Sequence, residues 1–410
     1  MNFTASVFAR ALKSRNYRLY FGGQLVSLAG TWMQQIAMSW LAYRLSNSAL
    51  VLGMVGFASQ IPILLLGAVG GVITDRFDRR RLMIITQSLA MGQALVLALL
   101  TWQGWVSPHW LVGMAFVLGC INALDIPARQ AFSVQMVDNR DDLPNVVALN
   151  SLLMNSARFV GPSLAGFAVA LVGEAVCFLL NAASYLAVLL ALLAIRVSPR
   201  AGTPGPAVHA LRDGFRYAAA HPQIRAFLLL VACLSFLVTP YAVLMPLYAR
   251  EILGGGARLF GLLVGSAGAG ALLTSLYLAS RVGTERLPRR VVAAVLVAGV
   301  ALALFALNSV TWLAFPIVMA LGGAVILVVA GSNTLVQTWV HDDYRGRVMA
   351  IFSMSFLGVA PLGALAVSSI AHAVGLVPTL VCCGLLTLVV GSVAYRRQVG
   401  LDQSQAQGLK

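Results

Sequence analysis

Apolar stretches of about twenty residues follow one another almost from end to end of this 410-residue chain, parted only by short charged interruptions. No other feature limits its fold so severely. A hydrocarbon core about 30 Å thick takes roughly 20 helical residues to cross. Within it every backbone N–H and C=O needs a partner inside the protein, which leaves helices and closed barrels. The stretches are continuous rather than alternating, and rich in Leu, Ala and Gly, so helices are expected. Composition points the same way: 60% of residues are hydrophobic and 10% charged, against roughly 25% charged in a soluble domain. Spans are expected at about 20–43, 50–70, 82–102, 110–128, 146–170, 175–195, 226–248, 259–280, 291–308, 311–333, 348–371 and 376–395, giving an all-α membrane protein with 12 transmembrane helices.

The formal net charge of +15 invites a nucleic-acid reading, but the positions of the cations exclude it. With these spans, 24 of the 28 Lys and Arg fall on one face, among them Arg76, Arg79–Arg81, Arg129 and Arg289–Arg290. The other face keeps Arg44, Arg250 and Arg258, and Arg158 lies inside a span. That asymmetry is the positive-inside pattern, and it puts both termini in the cytoplasm. The opening MNFTASVFARALKSRNYRLY lacks a short apolar core before a small-residue cleavage site, so no cleaved signal is expected. The five cysteines lie within apolar runs, none at metal-ligand spacing with a histidine, and neither disulfides nor a metal is expected.

The longest polar interruption, residues 196–225, begins with a Pro/Gly-rich linker. It continues into HALRDGFRYAA, whose Leu211, Phe215 and Ala218 share a face, as in an amphipathic helix lying on a membrane. The spans divide six and six around it, and the halves resemble each other. LGMVGF (52–57) falls against FGLLVG (260–265), Arg79-Arg80 against Arg289-Arg290, and VGPSLAG (160–166) against VAPLGAL (359–365), all at nearly one offset. A duplicated six-helix unit follows, with parallel repeats about an axis along the membrane normal. The expected parts are a first bundle over 1–195, a linker over 196–225, a second bundle over 226–396 and a tail over 397–410.

Charge concentrates in the loop between the second and third spans, GVITDRFDRRR (71–81). Gly71, Asp75, Arg76, Arg79 and Arg80 there resemble the signature loop of the major facilitator superfamily, with Asp78 where that signature has glycine. DIPARQAF (125–132), NSARFVGPSLAG (155–166) and YRGRVMAIFSM (344–354) are similar to its bacterial branch of siderophore exporters and drug and macrolide efflux proteins. The Gly161-Pro162 pair with Gly166 resembles the antiporter signature of the fifth span, with Ala165 in place of a usual glycine. The resemblance implies two pseudo-symmetric six-helix bundles and transport by alternating access driven by the proton gradient. The signature loop then acts as a cytoplasmic gate, with Gly161, Pro162 and Gly166 as a hinge in span five.

Physically, two aspartates among the arginines exceed what topology requires. Asp75 is suited to cap a helix N-terminus, where the dipole favours an anion by ~0.3–1 kcal/mol. Arg76 and Arg79 are suited to pair with acids at neighbouring helix ends, Asp125 foremost. Ionisable residues within spans are functional candidates by default. Arg158, near the middle of span five, either faces a central cavity and attracts an anionic or catechol-type substrate, or clamps helices through Asn155 and Asn181. Asp125, one turn from the cytoplasmic end of span four, is either an ionised gate partner or a proton carrier. Glu174 and Glu251 read as solvated loop acids, with proton entry the alternative role for Glu174. Gln34, Gln35, Asn122, Thr239, Asn333 and Gln337, on the spans that line the cavity in that superfamily, either face substrate or bond between helices at ~0.6 kcal/mol each.

Other classes lack their chemistry. No nucleotide loop with Lys-Ser/Thr, no His-Glu-x-x-His motif and no paired intramembrane carboxylates occur. The expectation is a non-enzymatic bacterial inner-membrane exporter without cofactor, a functional monomer whose partners are a small molecule, protons and lipid. The cargo is a siderophore or related secreted metabolite; the alternative is a broad drug or macrolide efflux pump.

Overall fold

The computed structural model describes residues 14–136, 143–195, 208–280 and 286–407, and among them every regular element is helical. In chain order these are α1 (Arg15–Ser46), α2 (Ala49–Arg76), α3 (Arg79–Trp102), α4 (Pro108–Gln135), α5 (Leu143–Ala194), α6 (Val208–Ala220) and α7 (Pro222–Leu237). There follow α8 (Pro240–Glu251), α9 (Ala257–Ala279), α10 (Leu287–Leu307), α11 (Thr311–Trp339), α12 (Asp342–Ser353), a π-helical turn (Met354–Gly358), α13 (Val359–Val374) and α14 (Leu376–Gln407).

Ten helical stretches among the described residues are long and apolar enough to cross a membrane. Two features reconcile them with twelve spans. One stretch, Gly161–Ala194, holds parts of two spans, because α5 is broken at Gly173 (φ 79°, ψ 171°). Only glycine takes that backbone at no steric cost. The other missing span is α1, 32 residues long, whose arginines and buried Gln24 and Gln34 lower its hydropathy below that of its neighbours.

The chain forms two compact units. The first takes Met1–Ser46, Ala58–Gly205 and Gly256–Gly261; the second takes Asn47–Phe57, Pro206–Gly255 and Leu262–Lys410. In the first, α1 and α3 pack on α5, and α4 packs on α3. Small residues let these helices approach, since lipid supplies no hydrophobic drive between them and backbone contact is the main gain. A Cβ on Gly23 would sit 3.2 Å from the Val188 Cα. Tyr17, Tyr20, Met83, Phe132 and Leu192 close one end of this unit as a buried cluster.

In the second unit α10 packs on α11 and α14, and Gly299 lies against Gly384, whose carbonyl oxygen would be 2.9 Å from an added Cβ. Two spans here are discontinuous. Pro240 cannot donate to the turn before it, so the seventh span divides into α7 and α8 at Val238–Thr239. The eleventh relaxes into the π-helical turn between α12 and α13. The breaks are linked: Ser235 Oγ donates to the Phe356 carbonyl oxygen at 2.5 Å. The amphipathic α6 docks on α12, where Tyr217 stacks on Tyr344 (4.4 Å) and Arg347 reaches Asp213 (3.4 Å). Gly214 seats α12, where an added Cβ would be 2.9 Å from the Arg347 Cβ; Ala218 is buried and Phe215 exposed.

The repeat read from sequence recurs in the packing. Gly261, in the first unit, lies on α5: an added Cβ would be 2.6 Å from both the Gly166 Cα and the Pro162 carbonyl oxygen. Its repeat partner Gly53, in the second unit, lies on α13, where a Cβ would be 3.0 Å from the Ala364 carbonyl oxygen. Residues 160–166 and 359–365 are themselves the paired segments VGPSLAG and VAPLGAL.

Candidate functional site

The charged loop is built by helix ends. Asp78 is the N-cap of α3, extended at φ −62° and ψ 116°, and its carboxylate accepts from the Arg81 N–H at 2.7 Å. This satisfies one of the donors that a helix start leaves open, a contact that glycine could not make. The departure from the signature at this position therefore has a physical use. Arg80 donates from Nε to the Leu192 carbonyl at 2.6 Å and from Nη2 to the Leu193 carbonyl at 3.0 Å. It caps the last turn of α5, whose dipole favours a cation. Arg79 Nη1 lies 3.4 Å from the Ala131 carbonyl oxygen of α4, and Arg76 is exposed. A Cβ on Gly71 would meet open space. The backbone of Asp75 is helical, but its side chain lies outside the described residues.

Asp125 sits on α4 facing α3, 3% exposed. Its Oδ1 accepts from Thr86 Oγ1 and Gln87 Nε2, both at 2.8 Å. Its Oδ2 is 2.9 Å from an Arg129 guanidinium nitrogen one turn along the same helix, on a side chain 25% exposed. The cation that meets Asp125 is thus Arg129, which the charge count assigned to the cytoplasmic face, and it lies within the fourth apolar stretch, Pro108–Ser133. Gln87 Oε1 is buried with no hydrogen-bond partner among the described residues. The site can therefore serve either protonation state. The carboxylate accepts three contacts as it stands, and a protonated Asp125 can donate to Gln87 Oε1 once that amide turns over.

A second polar layer crosses the same unit. Gln34 Nε2 on α1 donates to Gln93 Oε1 on α3 at 2.8 Å, and Asn181 Nδ2 on α5 donates to Gln34 Oε1 at 2.6 Å. Gln93 Nε2 continues to the Met114 carbonyl of α4 at 3.1 Å, and Ser184 Oγ donates to the Asn181 carbonyl at 2.7 Å. Gln34, Gln93 and Asn181 are buried at 2%, 5% and 0%. For Gln34, of the two roles open to it, the structure shows interhelical bonding. The missed members, Thr86, Gln87 and Gln93, had a signal: they are polar side chains within the apolar body of α3, two of them glutamines.

The remaining candidates are scattered. Gln35 is exposed and Asn122 half-buried. Asn333 accepts from Gln337 Nε2 at 2.5 Å along α11. Asn155 and Arg158 have helical backbone, but their side chains lie outside the described residues. Gly161, Pro162 and Gly166 form no break, since the non-helical residue of α5 is Gly173. They are contact surfaces: Gly161 seats Trp32, whose Cγ would be 2.8 Å from an added Cβ, and Gly166 seats Gly261. Glu174, expected in solvent, is 8% exposed and held by Arg44, with Nε–Oε1 at 3.0 Å and Nη2–Oε2 at 3.1 Å. The break at Gly173 turns the following residue back over the end of α1.

Comparison with known proteins fits this architecture. The family described as transmembrane secretion effector matches residues 5–408. The staphyloferrin A transporter of Staphylococcus aureus is 26% identical over 383 residues, covering 92% of this chain and 95% of that protein. The multidrug efflux pump Tap of Mycobacterium tuberculosis is 25% identical over 400 residues, 91% of each chain. Among solved structures, the nucleoside transporter NupG superposes with a TM-score of 0.71 at 14% identity, over 93% of this chain and 98% of that one. A bacterial homologue of the iron transporter ferroportin gives 0.68 at 16%, over 93% and 98%. The chain belongs to the transmembrane secretion effector family of the major facilitator superfamily, and is a multi-pass membrane transporter rather than an enzyme.

Proposed function

We propose that this protein is a secondary-active exporter, moving a siderophore or related secreted metabolite out of the cytoplasm in exchange for protons. The observation that carries the coupling is Asp125. It is a buried carboxylate among Thr86, Gln87 and Arg129, with Gln87 Oε1 free to accept a hydrogen bond from its protonated form once that amide turns over. Protonation removes the anion that holds Arg129, and a few kcal/mol of differential contact suffices to bias a two-state equilibrium. Both termini lie in the cytoplasm on this reading. Transport proceeds by alternating access of the two repeats, 1–195 and 226–396, with Asp75, Arg76 and Arg79 as the cytoplasmic gate. Arg158, Asn155, Gln35, Asn122, Asn333 and Gln337 are the candidates for contact with cargo, and the protein works as a monomer.

The likeness to the staphyloferrin A transporter supports a chelator as cargo. The likeness to Tap supports a second reading, a broad drug efflux pump. Everted vesicles energised to an acidic interior separate them. Addition of staphyloferrin A is expected to release a pulse of protons from vesicles with the wild-type protein and none from Asp125→Asn vesicles. Proton release with ethidium and none with the chelator would favour the drug pump. Release with neither, while Asp125→Asn vesicles behave identically, would refute proton-coupled export of both.

A further inference from the structure

The second unit carries a groove of about 750 Å³ that the transport reading does not use. Its walls come from α7, α10, α11 and α14, and its body is apolar: Leu229, Leu230, Cys233, Val292, Val390 and Val393. One end is different. There the groove reaches His221 and Arg225 at the start of α7. His221 is the N-cap of that 16-residue helix but makes no side-chain capping bond; Pro222 has no N–H, so the donors of the first turn left without a cap are those of Gln223 and Ile224. Arg225 is exposed, and the side-chain hydrogen bond it makes among the described residues is a 3.3 Å contact from Nη1 to the Ala219 carbonyl. Trp339 lines the same end, edge-on to Phe227 at 5.3 Å.

The geometry points to a binding site for one anionic glycerophospholipid of the inner leaflet, its phosphate on Arg225 and the open start of α7, and an acyl chain in the groove. Four observations converge on that occupant. The lining divides into a cationic, hydrogen-bonding mouth and a long apolar body, which matches an amphiphile with an anionic head. The mouth lies at the helix ends that carry Arg289, Arg290, Arg345 and Arg396, the ends that the charge count places at the cytoplasm, where anionic lipid and basic pockets between helices meet. Trp339 stands where an interfacial aromatic sits against headgroups. Apolar residues of the body are exposed, Leu229 at 58% and Val393 at 50%, as residues facing hydrocarbon are. The assignment rests on the membrane orientation and not on the cargo, so it stands or falls separately from siderophore export.

Native mass spectrometry of the purified full chain tests it. The protein is incubated in detergent with equal amounts of dioleoylphosphatidylglycerol and dioleoylphosphatidylcholine, and retained lipid is counted. The wild type is expected to retain one phosphatidylglycerol about fivefold in preference to phosphatidylcholine, the factor that one juxtamembrane arginine contributes. Arg225→Gln should bring that ratio close to one. Val393→Trp, which fills the body and leaves the cation, should lower retention of both lipids. Neither variant is expected to disturb packing, since both residues are exposed in the folded chain. Equal retention of the two lipids by the wild type, or an unchanged ratio in Arg225→Gln, overturns the assignment. So does retention of sn-glycerol 3-phosphate as strong as that of the intact lipid, which would make the mouth a free-phosphate site with no part for the groove.

Discussion

Asp125→Asn removes the charge from the buried pair and almost nothing else. Asparagine keeps the volume and can still accept from Thr86 or Gln87, so the hydrogen-bond loss is small. What changes is Arg129, left without its anion inside the fourth apolar stretch. Orphaning a fully buried ion costs about 3–5 kcal/mol. Arg129 keeps 25% of its side chain exposed, so the long stem can carry the guanidinium outward, and the expected loss falls to about 2–3 kcal/mol. At about 2–4 °C per kcal/mol for a unit of this size, Tm should drop by roughly 4–12 °C. Arg129→Gln added to Asp125→Asn removes the orphaned cation, and the double variant should return to within about 1 kcal/mol of wild type. Intrinsic tryptophan fluorescence of the purified protein during a thermal ramp reads all three. A single variant melting within about 1 °C of wild type, or a double variant melting below the single, would show that the pair is not held as described.

Other consequences follow from the same packing. Asn181→Ala strips the donor from Gln34 Oε1 in a layer sealed from solvent, and a buried acceptor left unpaired costs about 1–3 kcal/mol; a thermal melt should show it, whereas Gln35→Ala, at an exposed position, should change little. Arg44→Leu leaves Glu174 nearly buried without its bidentate partner, so Tm should fall, and adding Glu174→Gln, which removes the orphaned charge, should restore most of it. Gly261→Leu cannot keep α9 against the backbone of Pro162 and Gly166, and overpacking of this kind costs about 1–3 kcal/mol, so a thermal melt should show a lowered Tm.

What the sequence disclosed was set by range. The number of spans and the repeat rest on hydropathy and offset, and both were legible. The loop at 71–81 was legible as a charge pattern, but Asp78 read as a flaw in the signature, because a capping bond to Arg81 shows only when the helix start is known. Arg129 stood four residues from Asp125 in plain view, yet assigning it to the cytoplasmic count hid the pair. The layer joining Gln34 to Gln93 and Asn181 spans separations of 59 and 147 residues, which no local pattern encodes. Glu174 looked solvated because a loop was expected around it. The chain instead turns sharply at Gly173 and delivers the carboxylate to Arg44, 130 residues earlier. The break of span seven was signalled by Pro240, whereas the π-helical turn at Met354–Gly358 has no residue that announces it.

The central claim is outward movement of a small molecule, and the most direct measurement is what leaves the cell. Spent medium from iron-starved cultures carrying the wild-type protein, Asp125→Asn or no copy should be compared by mass spectrometry. The account predicts one chelator abundant in the first medium and depleted in the other two. Identical media from all three, with resistance to several unrelated drugs lost in the strain without a copy, would contradict siderophore export and make this protein a drug pump.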